Sequence, residues 1–360
     1  MHRFIKSVVL FAVAVLGGAA AAADLAGLDR YLQGEMQQRR IPGLQLAVVQ
    51  AGKIVLLKSY GTAEIPNSVP VGNGSVFSIN SATKTFTGVA AMQLVDAGKL
   101  DVAAPVSRYL ADLPAPWRGV TITQLLDHTS GIPNIISDET SALVVPGDVE
   151  AAWRMVQTLP MEFKPGERFS YNQTNYMLLG KVIDQLSGQP FAQFMQRRQF
   201  DAVRMPLTGF GDARDVIPHK APSYRMDKDG KTLRPIIDDF PDQMRTGAGL
   251  NSSAEDLAHW IIALQSGKLV SKAGLARLWT RGQYNDGAPG RWALGWPAIG
   301  QGEYRAVAGI GGARSAFYVY PDQDLAVVIL TNLSGASPEQ MIDTVAGYFL
   351  PGLKRARAGG

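Results

Sequence analysis

The sequence predicts a mixed α/β (α+β) protein: one antiparallel sheet built from both chain ends, flanked by terminal helices, with a helical lobe inserted between its strands. Three observations carry that prediction. Valine-rich runs of strand character lie near residues 44–60 and return at 304–331. Helical spacing dominates the stretch between them, and each chain end adds a further helical segment beside its strands. Strands separated by so much helix must pair across the sequence, which fits a sheet packed under helices.

Taken in order, Asp24 to Arg40 sets Leu25, Leu28, Leu32 and Met36 at helical spacing, with Asp24 available as N-cap. Leu44 to Gln50 and Ile54 to Tyr60 follow, split by Ala51-Gly52-Lys53, and read as a hairpin. Ala82 to Ala97 is expected as an amphipathic helix stopped by Gly98, and Thr174 to Leu186 as another stopped by Gly188. Ser253 to Leu264 makes a third, capped by Ser252 or Ser253 and ended by Gly267. Between them, Asp212 to Arg245 scatters Asp, Lys, Pro and Gly among few periodic apolar positions, and reads as a surface excursion shaping a cleft. Tyr304 to Ala308, Ser315 to Tyr320 and Leu325 to Thr331 are strand-like, with Pro321 to Asp324 turning between the last two. A final helix runs from about Pro338 to Phe349, with Ser337 as its cap. The lobes that result are a sheet lobe, about 24–80 and 246–360, and a helical lobe, about 81–245.

Of the 360 residues, 46% are hydrophobic and 18% charged, a globular balance with enough apolar mass for a self-sufficient core. The net charge of +4 is spread along the chain apart from a short Lys354 to Arg357 tail, which is no nucleic-acid signature. Residues 1–23 read as a secretory signal: Arg3 and Lys6, an apolar run from Val8 to Leu16, then an alanine tract ending at Ala23. That run is too short for a membrane span, so residues 24–360 are expected as a periplasmic or secreted domain without one. An uncleaved anchor is the alternative. The chain has no cysteine, which rules out disulfides, thiol catalysis and a lipid-modified N-terminal cysteine. His128, His219 and His259 lack metal-ligand spacing, and neither a Gly-x-Ser-x-Gly elbow nor a phosphate-binding glycine loop occurs. No metal or cofactor is expected.

Two places can carry chemistry. Ser81 opens a helix and Lys84 lies three residues on, one turn along the same face. A helix N-terminus also offers N–H groups to a developing oxyanion. Lysine accepts a serine proton only when neutral, and lowering its reference value of about 10.4 to roughly 7–8 requires about 4 kcal/mol against the charged form. Burial supplies such a shift. Ser81 as a plain N-cap is the competing reading. Tyr171 falls on a loop just before a helix, where its phenol could relay a proton in a cleft or simply anchor the loop.

Ser81-Ala82-Thr83-Lys84 resembles the Ser-x-x-Lys motif of serine β-lactamases and penicillin-binding proteins. Thr121 to Ile132, Tyr171 to Gly180, Gly247 to Leu257 and Ala326 to Asn332 look like landmarks of the class C β-lactamase branch, which includes D-alanyl-D-alanine carboxypeptidases and family VIII esterases. The resemblance covers most of residues 24–360 and implies a β-lactamase-like serine hydrolase. Ser81 would form an acyl-enzyme with an ester, amide or β-lactam carbonyl, Lys84 would be general base, and Tyr171 would assist proton transfer. The partner is then a small-molecule or peptide acyl substrate. His128 matches a landmark and reads as a structural turn residue. Two departures stand out. The second motif, usually Tyr-x-Asn, carries Gln173 at its third position. The third motif, usually Lys-Thr-Gly or His-x-Gly, falls on Ala306-Val307-Ala308 or on Gly309-Ile310-Gly311, neither with a cation. Gln173, Gly309, Gly311, Gly312 and Arg314 are the expected substrate-binding positions, and the second oxyanion N–H is expected between Ala308 and Gly312. Arg314 replaces the missing cation if it points into the cleft; the preferred competing reading is that it packs on the strand surface or pairs with an acid. A catalytically inactive periplasmic binding or cell-wall-associated relative is the alternative function.

Overall fold

A computed structural model describes residues 24–137, 139–140, 142–300 and 302–353. The expected signal segment and the basic tail lie outside them. A seven-stranded antiparallel sheet forms the centre. Its strands are β1 (Gly43–Gln50), β2 (Lys53–Glu64), β3 (Val69–Pro70), β4 (Ala298–Ile299), β5 (Ala306–Gly311), β6 (Ser315–Tyr320) and β7 (Leu325–Thr331). They lie in the order β3-β2-β1-β7-β6-β5-β4, so N-terminal strands meet C-terminal ones where β1 pairs with β7, Leu44 opposite Thr331. The expected sheet from both chain ends is present. The β1–β2 hairpin closes through Ala51 and Gly52 at φ 50° and 69°, the paired positive values of a tight two-residue turn.

Side-chain alternation divides the core between two faces. Leu44, Leu46 and Val48 of β1 join Leu28 and Leu32 of helix α1 (Leu25–Arg39) and Met341 and Val345 of the C-terminal helix Glu339–Gly347. Ala47 and Val49 face the opposite cluster, with Phe86 of helix α2 (Thr83–Asp96) and Trp260 of the helix Ala254–Gln265. Asp24 caps α1 by accepting from Gly27 N–H (2.8 Å), and Ser253 caps the Ala254–Gln265 helix.

Three expectations need correction. Helix α2 is not amphipathic: every residue from Thr83 to Leu94 is buried, because the helix is enclosed between the sheet and the helical lobe. Ser337 does not cap the last helix. It sits at φ 49°, one residue early, and its N–H donates to Ala313 O (3.0 Å). Strand β5 starts at Ala306 and continues through Gly309-Ile310-Gly311. Glycine suits that strand because neighbours fill the space: a Cβ on Gly309 would lie 2.2 Å from the Phe317 ring, and one on Gly311 would lie 1.9 Å from Ile79 O.

Candidate active site

Ser81 sits in a 3₁₀ turn, Asn80–Ala82, that runs directly into α2. The turn is tightly held. Ile79 N–H donates to Leu250 O (2.9 Å), while Ile79 O accepts from Ala82 N–H (3.1 Å) and from the Ser315 hydroxyl (2.8 Å). Thr83 Oγ1 donates to Asn80 O (2.6 Å). Asn80 itself adopts φ 47°, a left-handed conformation that surrounding structure must impose on a residue with a side chain. The nucleophile is thus presented on a stiff corner next to the β5–β6 hairpin.

Lys84 lies on the first turn of α2 and is completely buried. Its Nζ donates to Gly247 O (2.8 Å) and lies 4.7 Å and 5.0 Å from the ring centroids of Tyr171 and Tyr176. No carboxylate forms an ion pair with it among the described residues. Burial without a counter-ion drives its pKa well below the ordinary lysine value of 10.5. The aromatic faces and the carbonyl partly solvate an ammonium, yet desolvation prevails.

Tyr171 precedes the helix Gln173–Ser187, which Asn172 caps by accepting from Asn175 N–H (3.2 Å). The Tyr171 hydroxyl donates to Ser81 Oγ at 2.8 Å. Desolvation pushes the phenol up to about 12, against the lowering effect of the Ser81 bond, so it stays protonated at neutral pH. Ser81, Lys84 and Tyr171 therefore meet: one phenol touches the hydroxyl with its oxygen and the amine with its ring face. A hydroxyl bonded to a protonated phenol, whose ring in turn lies against an amine of lowered pKa, is arranged for nucleophilic attack with proton transfer. Lys84 Nζ itself is bonded to Gly247 O.

The other wall is β5. Ala308 N–H points outward to Pro297 O (2.9 Å), and alternation along an antiparallel strand directs Ile310 N–H to the same edge, beyond the end of β4. Gly311 presses against the Ser81 turn, and Gly312, at φ 57°, leaves room for the Asn80 amide, 2.1 Å from where a Cβ would stand. Gly309 and Gly311 thus serve close packing, which their sequence positions alone do not reveal.

Arg314 pairs with an acid, the second of its two readings, and does not enter the cleft as a free cation. It is buried, and its guanidinium makes two hydrogen bonds to the Asp238 carboxylate (2.9 and 3.3 Å), so it is not the free cation of the third motif. Asp238 belongs to the 212–245 excursion, which this pair ties to the hairpin. Gln173 is half-buried, with Oε1 2.5 Å from where a Gly247 Cβ would stand, next to the carbonyl that receives the Lys84 proton. Its backbone N–H donates to Asn134 Oδ1 (3.0 Å). Sequence reasoning bracketed Ile310 between Ala308 and Gly312 without fixing it, and missed the Gly247 carbonyl and the surroundings of His128. Only the run Gly247-Ala248-Gly249 offered a signal, since glycine permits close approach.

No group of three potential metal-ligating side chains occurs among the described residues. No described helix is long and apolar enough to cross a membrane. A groove of about 790 Å³ lined by Leu275, Trp279, Arg281 and Ile299 shares no residue with the Ser81 site.

Comparison with known proteins identifies the family. The family described as Beta-lactamase matches residues 28–347. Protein flp of Staphylococcus aureus (strain N315) is 27% identical over 335 residues, 88% of this chain and 64% of that protein. The chain therefore spans a little under two thirds of that relative. Among solved structures, the octameric penicillin-binding protein homologue from Pyrococcus abyssi superposes with a TM-score of 0.76 at 26% identity, covering 91% of this chain and 78% of that one. The penicillin binding protein from Bacillus halodurans gives 0.71 at 26% identity, with 86% and 98% covered. EstCE1, a hydrolase with promiscuous acyltransferase activity, shares the fold at 20% identity and a TM-score of 0.73, covering 87% and 95%.

Proposed function

The chain belongs to the β-lactamase family, and on that footing we propose that it is a serine hydrolase that works through an acyl-enzyme on Ser81. The observation that carries this reading is the hydrogen bond from the Tyr171 phenol to Ser81 Oγ beside a buried Lys84 with no carboxylate partner. Ser81 Oγ attacks the substrate carbonyl as its proton passes to Lys84, through Tyr171 or directly. The backbone N–H groups of Ser81 and Ile310 receive the oxyanion. Collapse breaks the bond to the leaving group, which takes a proton back from the Tyr171–Lys84 pair. Water then attacks the Ser81 ester by the reverse relay and frees the acid.

Arg314, committed to Asp238, does not serve a substrate carboxylate, and this favours a neutral acyl group. A carboxylic ester is the substrate class we favour over a β-lactam or a D-peptide. The N-terminal signal-like segment supports export to the periplasm or the medium.

The test is a panel of p-nitrophenyl esters, a chromogenic cephalosporin and a D-alanyl-D-alanine peptide, run with wild type and Ser81→Ala, alongside fluorophosphonate labelling. Esters should turn over fastest, and Ser81→Ala should lower turnover by on the order of 10³ or more. Failure of every substrate, with no adduct on Ser81, would contradict the proposal and leave the non-catalytic relative.

A further inference from the structure

We infer that His128 is a positioning residue for Tyr171, holding the loop on both sides of that phenol so that its hydroxyl meets Ser81. The inference rests on the acyl-enzyme reading for its consequence, though not for its geometry. His128 is completely buried. Its carbonyl accepts from Ser170 N–H (2.9 Å), and its Nδ1 accepts from Asn172 N–H (3.1 Å). The residues immediately before and after Tyr171 are thus both bound to one histidine. The imidazole also packs on the Tyr171 ring, with centroids 4.6 Å apart, and meets Tyr176 at 5.1 Å and Trp292 at 4.6 Å.

The Nδ1 contact requires the neutral ring in one tautomer. An Nδ1 that accepts from a backbone N–H carries no proton, so the proton resides on Nε2. Burial holds the imidazole well below its ordinary pKa. A protonated Nδ1 would instead confront the Asn172 N–H as donor against donor. The backbone of His128 lies at φ 62°, a conformation that histidine and asparagine adopt more readily than most residues. What first reads as a turn residue is a clamp whose backbone and ring both act on the Tyr171 segment. Residues 168–172 form neither helix nor strand, so Tyr171 is placed by such contacts, to which Trp292 at 6.0 Å and the Asn172 amide bonded to Ile132 O add.

The experiment compares His128→Asn, which keeps an acceptor near the Nδ1 position and tolerates positive φ, with His128→Phe, which keeps a ring and has no acceptor. His128→Phe should lower kcat about 10–100-fold with KM within about 3-fold, and His128→Asn should recover most of the loss. In a Tyr171→Phe background the His128→Phe change should cost less than about 3-fold further, since residues acting through one another are non-additive. Independently of turnover, a 3-fluorotyrosine placed at position 171 should show its ¹⁹F resonance moving toward the free amino-acid position in His128→Phe and holding in His128→Asn. Should His128→Phe fail to fold, His128→Gln, whose amide reaches one bond too far, takes its place. Full additivity in the Tyr171→Phe background, or one ¹⁹F position across all variants, would overturn the inference. An inert wild type with the expected ¹⁹F shifts would overturn only the hydrolase reading.

Discussion

Lys84 and Arg314 are the buried lysine and arginine among the described residues, and the fold disposes of their charges in opposite ways. Arg314 meets a buried carboxylate, Asp238, in a two-bond geometry, and its charge is retained and matched. Lys84 meets a neutral carbonyl and two aromatic faces, and its charge is unmatched. A guanidinium stays protonated wherever it is placed, so burying one requires an acid. An amine can lose its proton, and burying it alone makes it a base. Within one molecule, the paired cation fastens the 212–245 excursion to the hairpin and the unpaired one supplies reactivity.

This contrast predicts opposite stability effects for matched substitutions. Arg314→Met should lower stability by about 3–5 kcal/mol, because Asp238 is left as a buried charge without a partner. Lys84→Met should abolish turnover while raising stability by about 1–3 kcal/mol at neutral pH, because a buried amine gives way to an apolar chain of similar length. Chemical denaturation of both variants and wild type checks the pair. Equal destabilisation by both would break the comparison.

A smaller effect sharpens it from the acidic side. Asp127 is buried with Thr129 as its hydroxyl donor, and desolvation raises its pKa to about 6. A carboxyl whose folded-state value exceeds its unfolded one contributes stability that is complete below about 3.9 and is lost as pH rises through about 6. Asp127→Asn, which keeps an acceptor for Thr129, should remove that loss. Its melting temperature at pH 7 should exceed wild type, and the difference should vanish near pH 4. The same offset at both pH values would show that the carboxyl is not destabilised by its burial.

Local pattern made much of this legible beforehand, and long-range contact explains most of what was not. The alternation of Leu44, Leu46 and Val48, the Ala51-Gly52 turn, and the caps at Asp24 and Ser253 are encoded within a few residues of where they act. The Ser81–Lys84 spacing is local too, and Tyr171 lies just ahead of a recognisable helix. By contrast, the Arg314 partner lies 76 residues away in a stretch without periodicity. The packing role of the β5 glycines is hidden because the Phe317 ring and the Ile79 carbonyl that need their space come from other elements. Helix α2 carries threonines that local pattern alone cannot place inside. Thr85 and Thr87 bond buried carbonyls, Ala82 O (2.8 Å) and Thr246 O (2.6 Å). His128 reads as a turn residue because Gly131 and Pro133 follow it in a landmark motif, and neither says what its ring touches.

The protonation state of Lys84 is the quantity on which the chemistry depends, and it is open to direct titration. Lysine labelled with ¹³C at Cε, with the Lys84→Met spectrum identifying the resonance, reports the amine as pH is raised. The account predicts an inflection well below the ordinary 10.5. An inflection at the ordinary lysine value would mean a charged amine at neutral pH, and Ser81 would then have no base.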